Sequence, residues 1–181
     1  MADIKTKKSA RKSFFEIKVP LTSAKVQVYG NSVEEIDGKV IKIDLTRNLK
    51  GKNLELRLRA KNVNGVLEGK PISLELIGSY IRRAMRPGID YVEDSFVAET
   101  KDGKARVKPF LITRNRVSRA VRRELRNLAR KHLETYLKAR NHLEIFSELM
   151  TNKIQKELFL KLKKIYPLAF CEIRVFEVLG A

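Results

Sequence analysis

The hydrophobic period of this chain changes decisively near residue 114, and that change limits what it can fold into. From Phe14 to Thr113 apolar residues recur at every second position, the period of a half-buried strand. The stretch Leu54-Glu55-Leu56-Arg57-Leu58-Arg59-Ala60 is the clearest case, with three leucines pointing one way and Glu55, Arg57 and Arg59 the other. Residues 14–19, 25–29, 39–45 and 72–77 read as further strands, with Pro71 at the entrance of the last, where no ladder donor is needed. Residues 92–100 and 105–113 flank Lys101-Asp102-Gly103-Lys104, the strongest hairpin signal in the chain. After Arg114 the period lengthens to that of amphipathic helices, which Pro167 closes. Residues 172–178 then alternate again and are expected to rejoin the sheet, because a lone strand is not stable.

Many short alternating strands separated by turns predict a small barrel or curled sheet. The expected class is α+β: a β-barrel-like curled sheet flanked by C-terminal helices, with a final strand returning to the sheet. Residues 1–13 read as a basic disordered arm. Residues 14–113 form the β-rich core, with a short helical insertion near 79–86 stopped by Pro87-Gly88. Residues 114–166 are helical and residues 167–181 carry the last strand, giving one structural domain over 14–181. In the helical part, Asn141 and Glu144 have the spacing of a capping box, and Asn152 is placed to cap the next helix.

Charge narrows the function. Lys and Arg number 39 against 21 Asp and Glu, a formal charge of +18 over 181 residues. Such self-repulsion hinders compaction unless an anionic partner or counterions screen it, and a pI near 10.2 is the footprint of a nucleic-acid binder. The excess is clustered. A helix expected from Arg114 to about Arg140 carries Arg114, Arg116, Arg119, Arg122, Arg123, Arg126, Arg130 and Lys131. At about 100° per residue, Arg116, Arg119, Arg123, Arg126 and Arg130 fall on one narrow face, and Val117, Val121, Leu125, Leu128 and His132 fall opposite. The planar guanidinium suits phosphate, so this row, with Arg82, Arg83 and Arg86 and the arm residues Lys5, Lys7, Lys8, Arg11 and Lys12, forms the candidate RNA-binding set.

Catalytic material is sparse. The two histidines, His132 and His142, lack metal-ligand partners at the usual spacing; His132 is expected at a core boundary and His142 on the surface. The nine glycines are scattered turn residues and make no phosphate-cradling loop. Asp90, Glu93 and Asp94 are expected to pair with the Arg82–Arg86 cluster and not to hold a metal. A single cysteine, Cys171, excludes an internal disulfide and reads as a small core residue. No apolar stretch reaches the roughly 18 residues of a membrane span. Without tryptophan, recognition is expected to rest on backbone and shape, not on stacked bases. Neither cofactor nor small-molecule substrate is implied.

Several segments, in this order, resemble a known family. They are Leu45-Thr46 with Asn48-Leu49-Lys50-Gly51-Lys52, Tyr80-Ile81-Arg82-Arg83, and Thr100-Lys101-Asp102-Gly103 followed by Arg106-Val107-Lys108-Pro109. The Arg114 to Arg126 segment and Ile165-Tyr166-Pro167-Leu168 followed by Glu172-Ile173-Arg174 complete the set. Together they resemble the S-three-A-e family of small-subunit ribosomal proteins of archaea and eukaryotes. Lys104 stands where that family usually has an aromatic, and the chain's end soon after its last strand is like that of an archaeal member. The resemblance implies a structural constituent of the small ribosomal subunit that is cytoplasmic and supports translation. It implies binding to small-subunit rRNA, neighbouring ribosomal proteins, and a place on the platform near the rRNA 3′ end and the mRNA exit. The alternative is a free nucleic-acid-binding regulator that uses the arginine helix to read bases, which normally needs a dimer with defined half-sites.

Overall fold

The computed structural model describes residues 12–22, 25–49, 52–63 and 65–180. Its elements are β1 (Ser13–Lys18), β2 (Lys25–Gly30), α1 (Val33–Ile36), β3 (Val40–Asp44), β4 (Leu54–Val63), β5 (Val66–Leu76) and α2 (Gly78–Ala84). There follow β6 (Tyr91–Glu93), β7 (Phe96–Thr100), β8 (Gly103–Thr113), α3 (Arg119–Lys138), α4 (His142–Met150), α5 (Lys153–Leu162) and β9 (Leu168–Val178). Arm residues Lys5, Lys7, Lys8 and Arg11 lie outside the described residues.

The strands join in the hydrogen-bonded order β2-β1-β5-β9-β8-β6, with β4 between β3 and β5, and β7 on β8. The expected β-barrel-like curled sheet is not what forms. Among the described residues the order has two ends, β2 and β6, that do not pair with each other, and the sheet is neither closed nor strongly curled. The reason lies in three long strands. β5, β8 and β9 each run 11 residues, and on β8 two short strands attach one after the other and end the sheet there. Thus β7 pairs with residues 103–107 of β8, and β6 with residues 110–112 of the same strand. In addition, Phe110 to Thr113 are all buried, because the second half of β8 is covered on both faces. What stands is an α+β arrangement of an open sheet with C-terminal helices.

The prolines show how the long strands arise. Pro71, expected at a strand entrance, lies inside β5, between Glu68, paired with β1, and Ser73, paired with β9. Its missing N–H falls where the partner changes. Pro109 sits at a register shift, where Lys108 faces Val175 but Pro109 faces Ile173. A bulge of this kind accepts a residue with no ladder donor.

The chain divides into two compact units. The first comprises the described residues of Met1–Ile41 and Leu58–Lys70. Its core is Ile17, Ile36, Ala60 and Leu67, with Phe15, Val28, Val33 and Ile41 packed around them. Gly69 belongs here because a Cβ would come within 3.0 Å of Leu58 Cδ1. The second unit comprises the described residues of Lys42–Arg57 and Pro71–Ala181, and it holds all the C-terminal helices. Its core is larger, with Phe110, Phe146, Phe176, Leu74, Leu76 and Leu111 each 2% exposed or less. Phe146 of α4 meets Phe176 of β9 edge-on, centroids 5.0 Å apart.

Local chemistry fixes the helix positions in this second unit. The β7–β8 turn pairs Thr100 with Gly103. From it, Asp102 Oδ2 accepts from His142 N at 2.8 Å, and Lys101 N donates to Arg140 O at 3.2 Å. The turn therefore holds the junction of α3 and α4. Asn141 and Glu144 form the expected capping box, in which Glu144 Oε2 accepts from Asn141 N at 3.3 Å. Asn152 opens α5 from a left-handed conformation, φ 60°.

Candidate nucleic-acid interface

The candidate interface is built on α3 in the second unit. Its buried line is Leu125, Ala129, Leu133 and Leu137, which packs toward β6, β7 and α5. The helix begins later than expected. Ser118 is the cap, its hydroxyl accepting from Val121 N at 3.4 Å, and Arg114 and Arg116 belong to the linker before it. The linker is held by partners that compete with helix formation. Asp90 Oδ2 accepts from Val117 N at 2.9 Å, and Thr113 Oγ1 lies 2.7 Å from Asn115 O. Asp90 is thus an anchor for the helix start, and it does not pair with the Arg82–Arg86 cluster as expected.

The arginine row also differs in direction from the expected opposition. Arg119, Arg123, Arg126 and Arg130 are exposed, whereas Arg122 is half-buried. Buried residues spaced by four advance about 40° per step, so the buried line drifts toward the row along the helix. The later arginines end beside the sheet. Arg130 lies 5.4 Å over the Phe96 ring and donates to Glu134 at 2.9 Å. Arg126 lines a cleft with Glu93, Asp94 and Arg174. The first turn contains no acid.

Ion pairs separate two kinds of cation. On the strands, Arg57 pairs with Glu75, Arg106 with Glu177 and Arg174 with Glu93, at 3.1–3.2 Å. Arg140 is held by Glu148 and lies 4.0 Å over Tyr136. By contrast, Arg82, Arg86, Arg114, Arg116, Arg119, Arg122, Arg123, Arg126 and Lys131 make no side-chain hydrogen bond or ion pair among the described residues. Arg83 is intermediate, donating to Asn53 Oδ1 at 2.8 Å and lying 5.7 Å over Tyr80. Tyr80 packs against Phe170, with centroids 5.9 Å apart, and burial followed by the Glu172 carboxylate pushes its phenol up.

Cations in the first turn of α3 oppose the helix dipole, whose N-terminal end is itself positive. Arg119, Arg122 and Arg123 occupy that end of the helix, with Arg114 and Arg116 just before it. For the isolated chain this is unfavourable. For a chain holding a polyanion it concentrates guanidiniums and free backbone N–H groups at one end.

A model of the Ribosomal S3Ae family matches residues 2–181. The chain belongs to this family. Its relatives include the small ribosomal subunit protein eS1 of Nanoarchaeum equitans, 29% identical over 178 residues, covering 92% of this chain and 88% of the relative. The protein of the same name from Methanothermobacter thermautotrophicus is 29% identical over 132 residues, 72% of this chain and 68% of the relative. That of Methanobrevibacter smithii is 24% identical over 193 residues, covering 99% of this chain and all of the relative.

Other titratable groups have structural roles. His142, expected on the surface, is largely enclosed, and its Nε2 lies 2.6 Å from Thr100 Oγ1. His132 sits at the boundary, as its helix position implies, with Nδ1 buried and unpartnered among the described residues. Cys171 is buried, and its thiol is pushed up to about 12 by burial and then by Glu172. Sequence reasoning overlooked the strand cations Arg57, Arg106 and Arg174 as one paired class. For Arg106 and Glu177 the signal is cross-strand register, since they face each other directly on β8 and β9.

Proposed function

We propose that this chain holds rRNA chiefly through the open end of α3. Arg114, Arg116, Arg119, Arg122, Arg123, Arg126 and Lys131 carry this contact, with a smaller share from Arg130, whose charge is already met by Glu134. Arg82, Arg83 and Arg86 add to it, as do the N-terminal Lys5, Lys7, Lys8, Arg11 and Lys12. As a member of a ribosomal family it is a structural, rRNA-binding constituent of the small subunit, cytoplasmic, in the company of other ribosomal proteins, and it is not an enzyme. The observation that carries the finer reading is that Arg114, Arg116, Arg119, Arg122, Arg123 and Arg126 have no carboxylate partner among the described residues, whereas Arg57, Arg106 and Arg174 each have one. A cation already neutralised by a neighbouring carboxylate displaces little of the counterion atmosphere condensed on RNA phosphates, whereas an unpaired one displaces it fully. The same reading extends to position: the platform of the subunit, near the rRNA 3′ end and the mRNA exit.

One experiment tests both parts. Asn127 is exposed on α3, and the native Cys171 is buried. A tagged Asn127→Cys chain therefore accepts an iron chelate at one site. Small subunits isolated on sucrose gradients should contain it, and hydroxyl radicals released there should cut rRNA near its 3′ end. Absence from the subunits would overturn the constituent role, and cuts confined to distant rRNA would overturn the position.

A further inference from the structure

The first unit carries a feature that the arginine helix does not explain. β1 and β2 pair antiparallel with Phe14 opposite Tyr29, Phe15 opposite Val28 and Glu16 opposite Gln27. Phe15, Ile17 and Val28 turn inward to the core. The other parity of β1 faces solvent, and its row reads Lys12, Phe14, Glu16, Lys18, all exposed. In that polar row, Phe14 is 69% exposed, and Tyr29 across from it is 56% exposed. Their rings lie 5.1 Å apart, tilted by 47°, and Lys12 Nζ stands 5.8 Å from the Tyr29 centroid.

A cross-strand aromatic pair stabilises a hairpin, but that role is served by the edge the two rings share. Most of the Phe14 surface remains in water, and phenylalanine has no polar group to justify it. The neighbours specify what could cover it. Lys12 stands beside the Tyr29 ring, Lys18 lies further along the same row beyond Glu16, exposed Gln27 offers an amide opposite Glu16, and the sequence just before Lys12 carries Lys5, Lys7, Lys8 and Arg11. Aromatic faces with lysines along a strand match the alternation of base and phosphate in an unpaired nucleic acid. An apolar protein partner would leave those ammonium groups facing a surface that offers them nothing. We infer that the outer face of the β1–β2 hairpin is a stacking platform for unpaired nucleotides of RNA, with bases on Phe14 and Tyr29 and phosphates at Lys12 and Lys18. The inference rests on the RNA-binding reading above and adds to it a contact with bases, where the sequence alone implied backbone recognition only.

The test measures binding of the full chain to two labelled oligoribonucleotides of equal length, one ordinary and single-stranded, the other carrying abasic sites. Equal phosphate number makes the electrostatic contribution the same for both. Stacking predicts that the wild-type chain favours the base-bearing strand by about tenfold or more. Phe14→Ala/Tyr29→Ala should remove that preference while keeping the abasic affinity. Phe14→Leu/Tyr29→Leu, which retains apolar cover on the hairpin, should do the same with an unchanged thermal melt. Equal binding of both strands by the wild-type chain would overturn the platform and leave rRNA binding intact. A preference that survives both double variants would overturn it too, as would a variant that keeps the preference but no longer binds another small-subunit protein. Failure to bind either strand, or small-subunit rRNA, would overturn the platform together with the reading it rests on.

Discussion

Lys52 carries a charge taken out of water. It is 8% exposed, and its ammonium lies 2.5 Å from Asn152 Oδ1 and 2.6 Å from Glu172 Oε2. Removing one partner of such a pair strands the other, so Lys52→Met should destabilise the chain by about 3–5 kcal/mol in urea unfolding. Adding Glu172→Met should restore most of the loss. A single variant within about 0.5 kcal/mol of wild type would refute the burial. Nothing local in the sequence marks this lysine, because its partners lie 100 and 120 residues away. His132 was easier to place, since its helix position already sets it at the core edge. Burial, and then Lys161, lower its pKa from the usual value of about 6.5, while Glu157 opposes them. The unfolded chain therefore binds that proton more readily. The stability it contributes is complete above about pH 6.5 and is lost as pH falls through the lowered native value. Urea midpoints measured downward from about pH 7.5 should decline less steeply in His132→Leu than in wild type; parallel curves would show that His132 does not titrate as described.

At the scale of the element, α3 sets stability against binding. Arg119 and Arg123 near its N-terminus oppose the helix dipole, so Arg119→Glu/Arg123→Glu should raise folding stability by up to about 1 kcal/mol. With Arg126→Glu added, the same chain should fall out of small subunits on sucrose gradients. The two signs together exclude unfolding as the cause of lost binding. A triple variant that melts like wild type and sediments with the subunit would contradict the role given to this helix. The apolar period shows that the helix exists. Its start is hidden, because the group that holds Val117 is Asp90, 27 residues back. Asn141 with Glu144, and the Thr100–Gly103 turn, are legible because both partners are close in sequence. The first part of β5, Val66 to Lys70, escapes a reading that treats Pro71 as a strand entrance.

For the whole molecule, alternation reveals how many strands exist but not which edges meet. The same pattern serves a closed barrel and an open sheet, and what decides between them is whether the end strands, β2 and β6, pair with each other. Charge is more legible, since +18 over 181 residues, clustered on one helix, points to an anionic partner whatever the topology. What composition cannot separate is cations spent inside the protein from cations left for RNA. The most direct test of that division is the salt dependence of binding to a fragment of small-subunit rRNA. Wild-type protein should give a steep linear fall of log K with log salt. Arg119→Gln/Arg123→Gln/Arg126→Gln should reduce the slope by roughly 2 to 3, at about 0.7–0.9 for each phosphate no longer neutralised. Arg57→Gln/Arg106→Gln/Arg174→Gln, which removes the paired strand cations, should leave the slope close to that of wild type. An unchanged slope in the helix variant, or an equal reduction in the strand variant, would contradict the account.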